Sequence, residues 1–80
     1  MDNESPRRLN SRINLTGRET QILMLTAAGY NTGEIAAELG IAVKTVGVHR
    51  SHVRVKLGAR NRVQLVRSAI REGLLREFAV

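Results

Sequence analysis

Eighty residues, 42% of them apolar, allow one small domain with a modest core. The absence of cysteine excludes a disulfide framework, a thiolate nucleophile and a cysteine-type zinc site. No aliphatic run is longer than Ile22 to Leu25, so neither a membrane span nor a secretory leader is expected, which fits the cytoplasm.

The net charge is +6 and it is lopsided: most of the basic residues lie in the second half, and the stretch from Leu39 to Arg71 contains neither Asp nor Glu. A one-sided cationic field of this kind attracts a polyanion, nucleic acid ahead of an anionic membrane surface.

Residues 1–14 are rich in Asn, Ser and Arg and hold Pro6, the single proline. They show no sustained period and read as a flexible lead-in or linker. Thr16 followed by Glu19 has the spacing of a capping box, in which each side chain satisfies a free backbone N–H of the other. Ile22, Leu23, Thr26 and Ala27 recur at helical spacing and Gly29 supplies a stop, which predicts a first helix from about Gly17 to Ala28. Asn31 and Glu34 repeat the cap relationship, with Ile35, Ala36 and Leu39 as the apolar face and Gly40 as the stop of a helix of about two turns. Val46, His49, Val53 and Leu57 then mark a longer third helix, about Val43 to Leu57, closed by Gly58. Asn61 and Gln64 cap a fourth helix with the stripe Leu65, Val66, Ala69 and Ile70, ended by Gly73, after which Leu74 folds back on the core. The expected organisation is all-α: a four-helix domain over residues 15–76 and a short tail at 77–80.

A short helix, a glycine-containing turn and a second helix form a helix-turn-helix, whose second helix enters the major groove of DNA. Here the unit is Asn31 to Leu57, with Val43 to Leu57 as recognition helix. Ile35, Ala36 and Leu39 are expected to press against Val46 and Val53, small Ala36 letting the two backbones approach.

Leu15-Thr16-Gly17-Arg18-Glu19, Glu34-Ile35-Ala36, Leu39-Gly40-Ile41, Lys44-Thr45-Val46, His49, Lys56-Leu57 and Asn61-Arg62 resemble, in order and spacing, the signature of LuxR/FixJ/GerE-type bacterial transcriptional regulators. The resemblance covers roughly Leu15 to Leu74 and includes polar positions that core packing does not dictate. It implies a domain that regulates transcription by sequence-specific binding to double-stranded DNA, as a homodimer formed through the last helix on inverted-repeat sites, and it leaves RNA polymerase open as a further partner.

Carried over by position, the resemblance implies that Gly47, Val48, Ser51, Arg50 and Arg54 contact bases, Arg50 and Arg54 also being placed to reach the flanking backbone. Lys44, Thr45, Lys56 and Thr32 correspond to phosphate contacts. The chemistry is compatible, since cations neutralise phosphates, hydroxyls donate to phosphate oxygens and valine packs on a thymine methyl. The bland counterpart for the cations is a solvated face, and for Val48 a partly buried packing position. Val63, Val66, Arg67, Ala69 and Ile70 form the expected dimer face, because the apolar residues of the fourth helix spread wider than one core stripe requires.

Four positions depart from the family pattern. Ala42 stands where a hydroxyl side chain normally caps the recognition helix, Gly33 and Gly47 replace longer polar residues, and Gly17 replaces a common proline. Base readout narrower than in a typical member is expected, with more reliance on phosphate and shape.

No catalytic constellation, metal site or cofactor is expected. His49 and His52 lack a third ligand, and the resemblance makes His49 a structural, hydrogen-bonding residue near the turn. Met24 reads as packing and Tyr30 as a lid over the core; Tyr30 and Phe78, one tyrosine and one phenylalanine, are too few aromatics to stack single strands. Two rivals stand beside the DNA-binding reading. One is the promoter-reading helix-turn-helix of a sigma factor, and the other is a protein-interaction module that keeps the fold and binds a partner regulator.

Overall fold

The computed structural model describes residues 13–76. Among them are four helices and no strand: α1 (Gly17–Ala27), α2 (Thr32–Leu39), α3 (Val43–Leu57) and α4 (Arg62–Arg71). Most of the lead-in expected at 1–14 and the whole tail expected at 77–80, with Phe78, lie outside these residues.

The helices begin where their caps stand. Thr16 and Glu19 exchange hydrogen bonds of 3.0 Å at the start of α1, and Asn31 and Glu34 do the same at 2.8 Å for α2. At α4 the side chain of Asn61 accepts from the Gln64 N–H at 2.9 Å, but Gln64 Oε1 accepts from the Arg60 N–H instead of closing a reciprocal box. The start of α3 has Ala42 at its cap and no side-chain hydrogen bond there, as the missing hydroxyl requires. Gly40 and Gly58 end α2 and α3 at φ of 68° and 64°, a left-handed conformation that side chains with a Cβ resist.

The core is divided in two, and α3 belongs to both parts. Its first half brings Val46 against Ile22, Ile35 and Ala36, with Leu25, Leu39 and Ile41 packed around them. Its second half brings Val53 and Leu57 against Leu23, Leu65 and Ala69, with Ile13, Leu15, Ala59, Leu74 and Leu75 alongside. The expected packing of α2 on Val46 is present. Val53, expected against α2 as well, sits instead with α1 and α4: it lies two helical turns beyond Val46, past the end of the eight-residue α2.

Two residues of the expected lead-in are part of this body. Ile13 packs on the second cluster, and the backbone carbonyl of Asn14 accepts a hydrogen bond from Lys56.

Candidate nucleic-acid interface

Because Val46, Val53 and Leu57 point inward, helical geometry aims Lys44, Val48, Ser51 and Val55 outward as one stripe at spacings of four, three and four. All four are exposed, as are Gly47 and Arg54 beside them. Val48 is 49% exposed, so the packing alternative for it does not apply. Val55, at 77%, is the most exposed of the large apolar side chains among the described residues, and it is not one of the expected contacts. The signal for it was in the sequence: Val55 stands one heptad after Val48, on the side opposite Val46 and Val53.

Gly47 faces open space, with nothing within 4 Å of where a Cβ would stand. No acidic residue lies on α3, and Arg54 and Lys56 stand in its last turn, where the helix dipole favours cations.

The remaining expected contact residues divide. Arg50 is half-buried, and its Nη1 donates to the Thr32 hydroxyl at 2.7 Å, so a base-contact candidate and a phosphate-contact candidate from different helices meet in one pair. Thr45 and Lys44 are exposed at the start of α3. Lys56 is placed differently from the other cations. Its ammonium donates to Glu19 Oε1 at 2.7 Å and to the Asn14 carbonyl at 3.0 Å.

Glu19 is a buried carboxylate, 3% exposed, on α1. The hydrogen bond from Lys56 chiefly, and that from the Thr16 N–H next, hold its carboxyl below the usual value in spite of burial. His52 Nδ1 stands 3.7 Å from Glu19 Oε2 and adds attraction when protonated.

His49 is half-buried, and its Nδ1 is buried without a hydrogen-bond partner, as is the hydroxyl of Thr26 on α1. The hydrogen-bonding role expected for His49 is therefore not seen at that nitrogen. Among the described residues no three His, Cys, Asp or Glu side chains gather as a metal group.

On α4 the inward residues are Leu65, Ser68 and Ala69. Ala69 is fully buried, which removes it from the expected dimer face, since its methyl group is spent on the core. Val63 and Arg67 are exposed, and Val66 and Ile70 half-exposed, on the other side.

Two further expectations are corrected. Met24 is 56% exposed and not packed, because α1 turns Ile22, Leu23 and Thr26 inward and leaves position 24 on the outside. Tyr30, expected as a lid over the core, is 36% exposed and packs against neither core cluster; with Ala28, Gly29, Glu34, Ala37 and Glu38 it lines an open depression of about 550 Å³.

Residues 13–69 match the family GerE, described as bacterial regulatory proteins of the luxR family. The oxygen regulatory protein NreC of Staphylococcus aureus is 44% identical over 61 residues, which are 76% of this chain and 28% of NreC. The chain thus spans little more than a quarter of the length of the curated relatives it matches. Two solved structures of Vibrio cholerae VqmA are similar. The VqmA dimer without target DNA, described among LuxR-type receptors, matches at TM-score 0.74 and 32% identity, over 89% of this chain and 31% of VqmA. The VqmA–ligand–DNA complex matches at TM-score 0.73 and 34% identity, over 80% of this chain and 28% of VqmA.

Proposed function

Because this chain belongs to the luxR family of bacterial regulatory proteins, a family of regulators and not of enzymes, we propose that it binds double-stranded DNA and regulates transcription. The observation that carries the reading is the outward stripe of α3. It is cationic along its flanks, free of carboxylates, and presented by a core that grips only the opposite side. Such a rod fits the major groove.

In this reading Val48, Ser51 and Val55 meet base edges, with Gly47 contributing no side chain, and Arg50 and Arg54 reach bases or the adjoining backbone. Lys44, Thr45 and Thr32 meet phosphates. The amides at the start of α3, left without a side-chain cap, add to the attraction for an anion there. Lys56 is omitted from this set, its ammonium being engaged by Glu19. Val63, Val66, Arg67 and Ile70 form the face on which a second copy packs, placing two recognition helices about 34 Å apart on an inverted repeat. Residues 15–76, with Ile13 and Asn14 packed against them, act as the DNA-binding unit, the rest of 1–14 serving as lead-in and 77–80 as tail. The cytoplasm is the compartment of such a regulator, and RNA polymerase is a partner that it would meet on a promoter. Among the described residues no helix is long and apolar enough to cross a membrane.

Selection of bound fragments from random duplex DNA, followed by a salt titration on the selected site, tests the reading. Contacts to six to ten phosphates lose on the order of 10³–10⁵ in affinity between 50 and 200 mM salt. No enrichment, or an affinity indifferent to salt, overturns it in favour of a protein-interaction module.

A further inference from the structure

Lys56 lies in the last turn of the cationic helix, yet its ammonium is held against α1 by Glu19. Two of its three N–H groups are used, one on Glu19 Oε1 at 2.7 Å and one on the Asn14 carbonyl at 3.0 Å. The carboxylate it meets has a side chain only 4% exposed, and the same oxygen also accepts from the Thr16 N–H at 3.0 Å. Lys56 is itself partly open to solvent, its side chain 37% exposed, so what sets it apart is its partner. Arg50 gives one N–H to a neutral hydroxyl and keeps the rest of its guanidinium donors, while Lys44 and Arg54 are exposed and neither meets a carboxylate among the described residues.

We infer that Glu19 withholds Lys56 from the DNA backbone: its carboxylate fills, inside the fold, the place that a phosphate would otherwise take, and α3 meets a duplex with one cation fewer than its sequence offers. The inference rests on the duplex-binding reading above. Its physical basis is the asymmetry of the exchange. Transfer of Lys56 to a phosphate would leave the buried Glu19 charge without its closest cation, whereas a phosphate deprived of Lys56 keeps its counterions and water. Glu19 touches no DNA in this arrangement and acts through Lys56, as a positioning residue that sets the strength and salt dependence of binding. Sequence pattern alone counts Lys56 as a backbone contact, since the partner that removes it is 37 residues away.

The test is the slope of log affinity against log salt, measured with the full chain and a short mixed-sequence duplex for wild type, E19Q, K56Q and the double variant E19Q/K56Q. Each neutralised phosphate adds about 0.9 to the slope. E19Q releases the ammonium, so its slope is expected to be steeper than wild type by about 0.9, which is about 3.5-fold more affinity lost between 50 and 200 mM salt. K56Q and the double variant are expected to share the wild-type slope.

A K56Q or E19Q/K56Q slope shallower than wild type by about that amount means that Lys56 already holds a phosphate, and overturns the inference. An E19Q slope equal to wild type overturns it too. The comparison of wild type with the double variant stands alone if either single variant fails to fold, because the double variant leaves no unpaired charge buried. Absence of duplex binding by the wild type at every salt concentration overturns the DNA-binding reading itself, an outcome distinct from equal slopes among variants that bind.

Discussion

Arg50 and Thr32, 18 residues apart, are joined by a hydrogen bond of 2.7 Å from Nη1 to Oγ1 that ties the middle of α3 to the first turn of α2. Hydrogen bonds from a charged donor are stronger than neutral ones, and this one is partly shielded from water. Thr32→Val keeps the shape of the side chain and removes the acceptor. It is expected to lower the unfolding free energy by about 1 kcal/mol in urea titration and to weaken duplex binding. Thr32→Ser retains the hydroxyl and is expected to leave both near wild type; equal behaviour of the two variants would show that the bond carries nothing.

The uncapped start of α3 is a second point of leverage. Ala42 already has the extended backbone of a cap residue, with φ of −70° and ψ of 147°. Ala42→Ser therefore needs no rearrangement to accept from an N–H of the first turn, and a gain of about 1 kcal/mol is expected. In a domain of this size that raises the melting temperature by about 4–8 °C, read by circular dichroism. No rise would mean that the free amides are already satisfied by another group.

Thr26 is fully buried and its hydroxyl has no partner. Replacing it with the nearly isosteric valine removes an unpaired polar atom and leaves the packing volume almost unchanged. Thr26→Val is expected to stabilise the domain by about 1 kcal/mol in chemical denaturation. A destabilised variant would show that the hydroxyl is bonded in solution.

Acid should act on the domain through Glu19. Its carboxyl is held below the ordinary value of 4.5, first by the hydrogen bond from Lys56 and then by the Thr16 N–H. A carboxyl that titrates lower when folded binds its proton less readily than in the unfolded chain. Its stabilisation is therefore complete above the unfolded value and is lost as pH falls through the folded one. Melting temperature is expected to hold from neutrality to about pH 5 and to decline below it. In E19Q this part of the acid decline should disappear, and an unchanged acid limb would locate the titration elsewhere.

The exposed side of α4 has a direct assay. Val63 is 64% exposed and contributes nothing to either core cluster. Val63→Glu is expected to abolish self-association in sedimentation and two-copy binding to an inverted repeat. The free energy of unfolding of the monomer should stay within about 0.5 kcal/mol of wild type. Unaltered stoichiometry on DNA would move the dimer contact off α4.

The four helices were legible because their ends are written in short-range chemistry. Thr16, Asn31 and Asn61 start helices through bonds to residues three positions away, and glycines stop them, so no distant partner has to be known. Val48 reaches base edges in the sequence only through the resemblance, with partial burial left open beside it; its spacing relative to Val46 and Val53 accounts for the exposure observed. The packing of α2 on Val46 and the return of Leu74 to the core were legible as well, but relationships that depend on the length and placement of a distant helix were not. Val53 was assigned to α2 because periodicity gives the direction of a side chain but not the length of the neighbour it meets. Ala69 was assigned to a dimer face because an apolar residue at helical spacing serves a core or an interface equally well. Lys56 joins the phosphate contacts through the resemblance alone, and a lysine that meets a carboxylate from another helix has the same local sequence as one that does not.

The shared membership of α3 in both core clusters makes it a beam resting on two supports. Val46 near one end and Val53 with Leu57 near the other fix its tilt as well as its position. Leu65 packs beneath the second support while Val48 stands on the opposite, outward side of the helix, so if α3 enters a groove as proposed, the packing of Leu65 bears on the angle of the outward stripe without any contact to DNA. Loss of volume at such a support costs stability and alignment together, whereas changes on the outward stripe leave both supports intact.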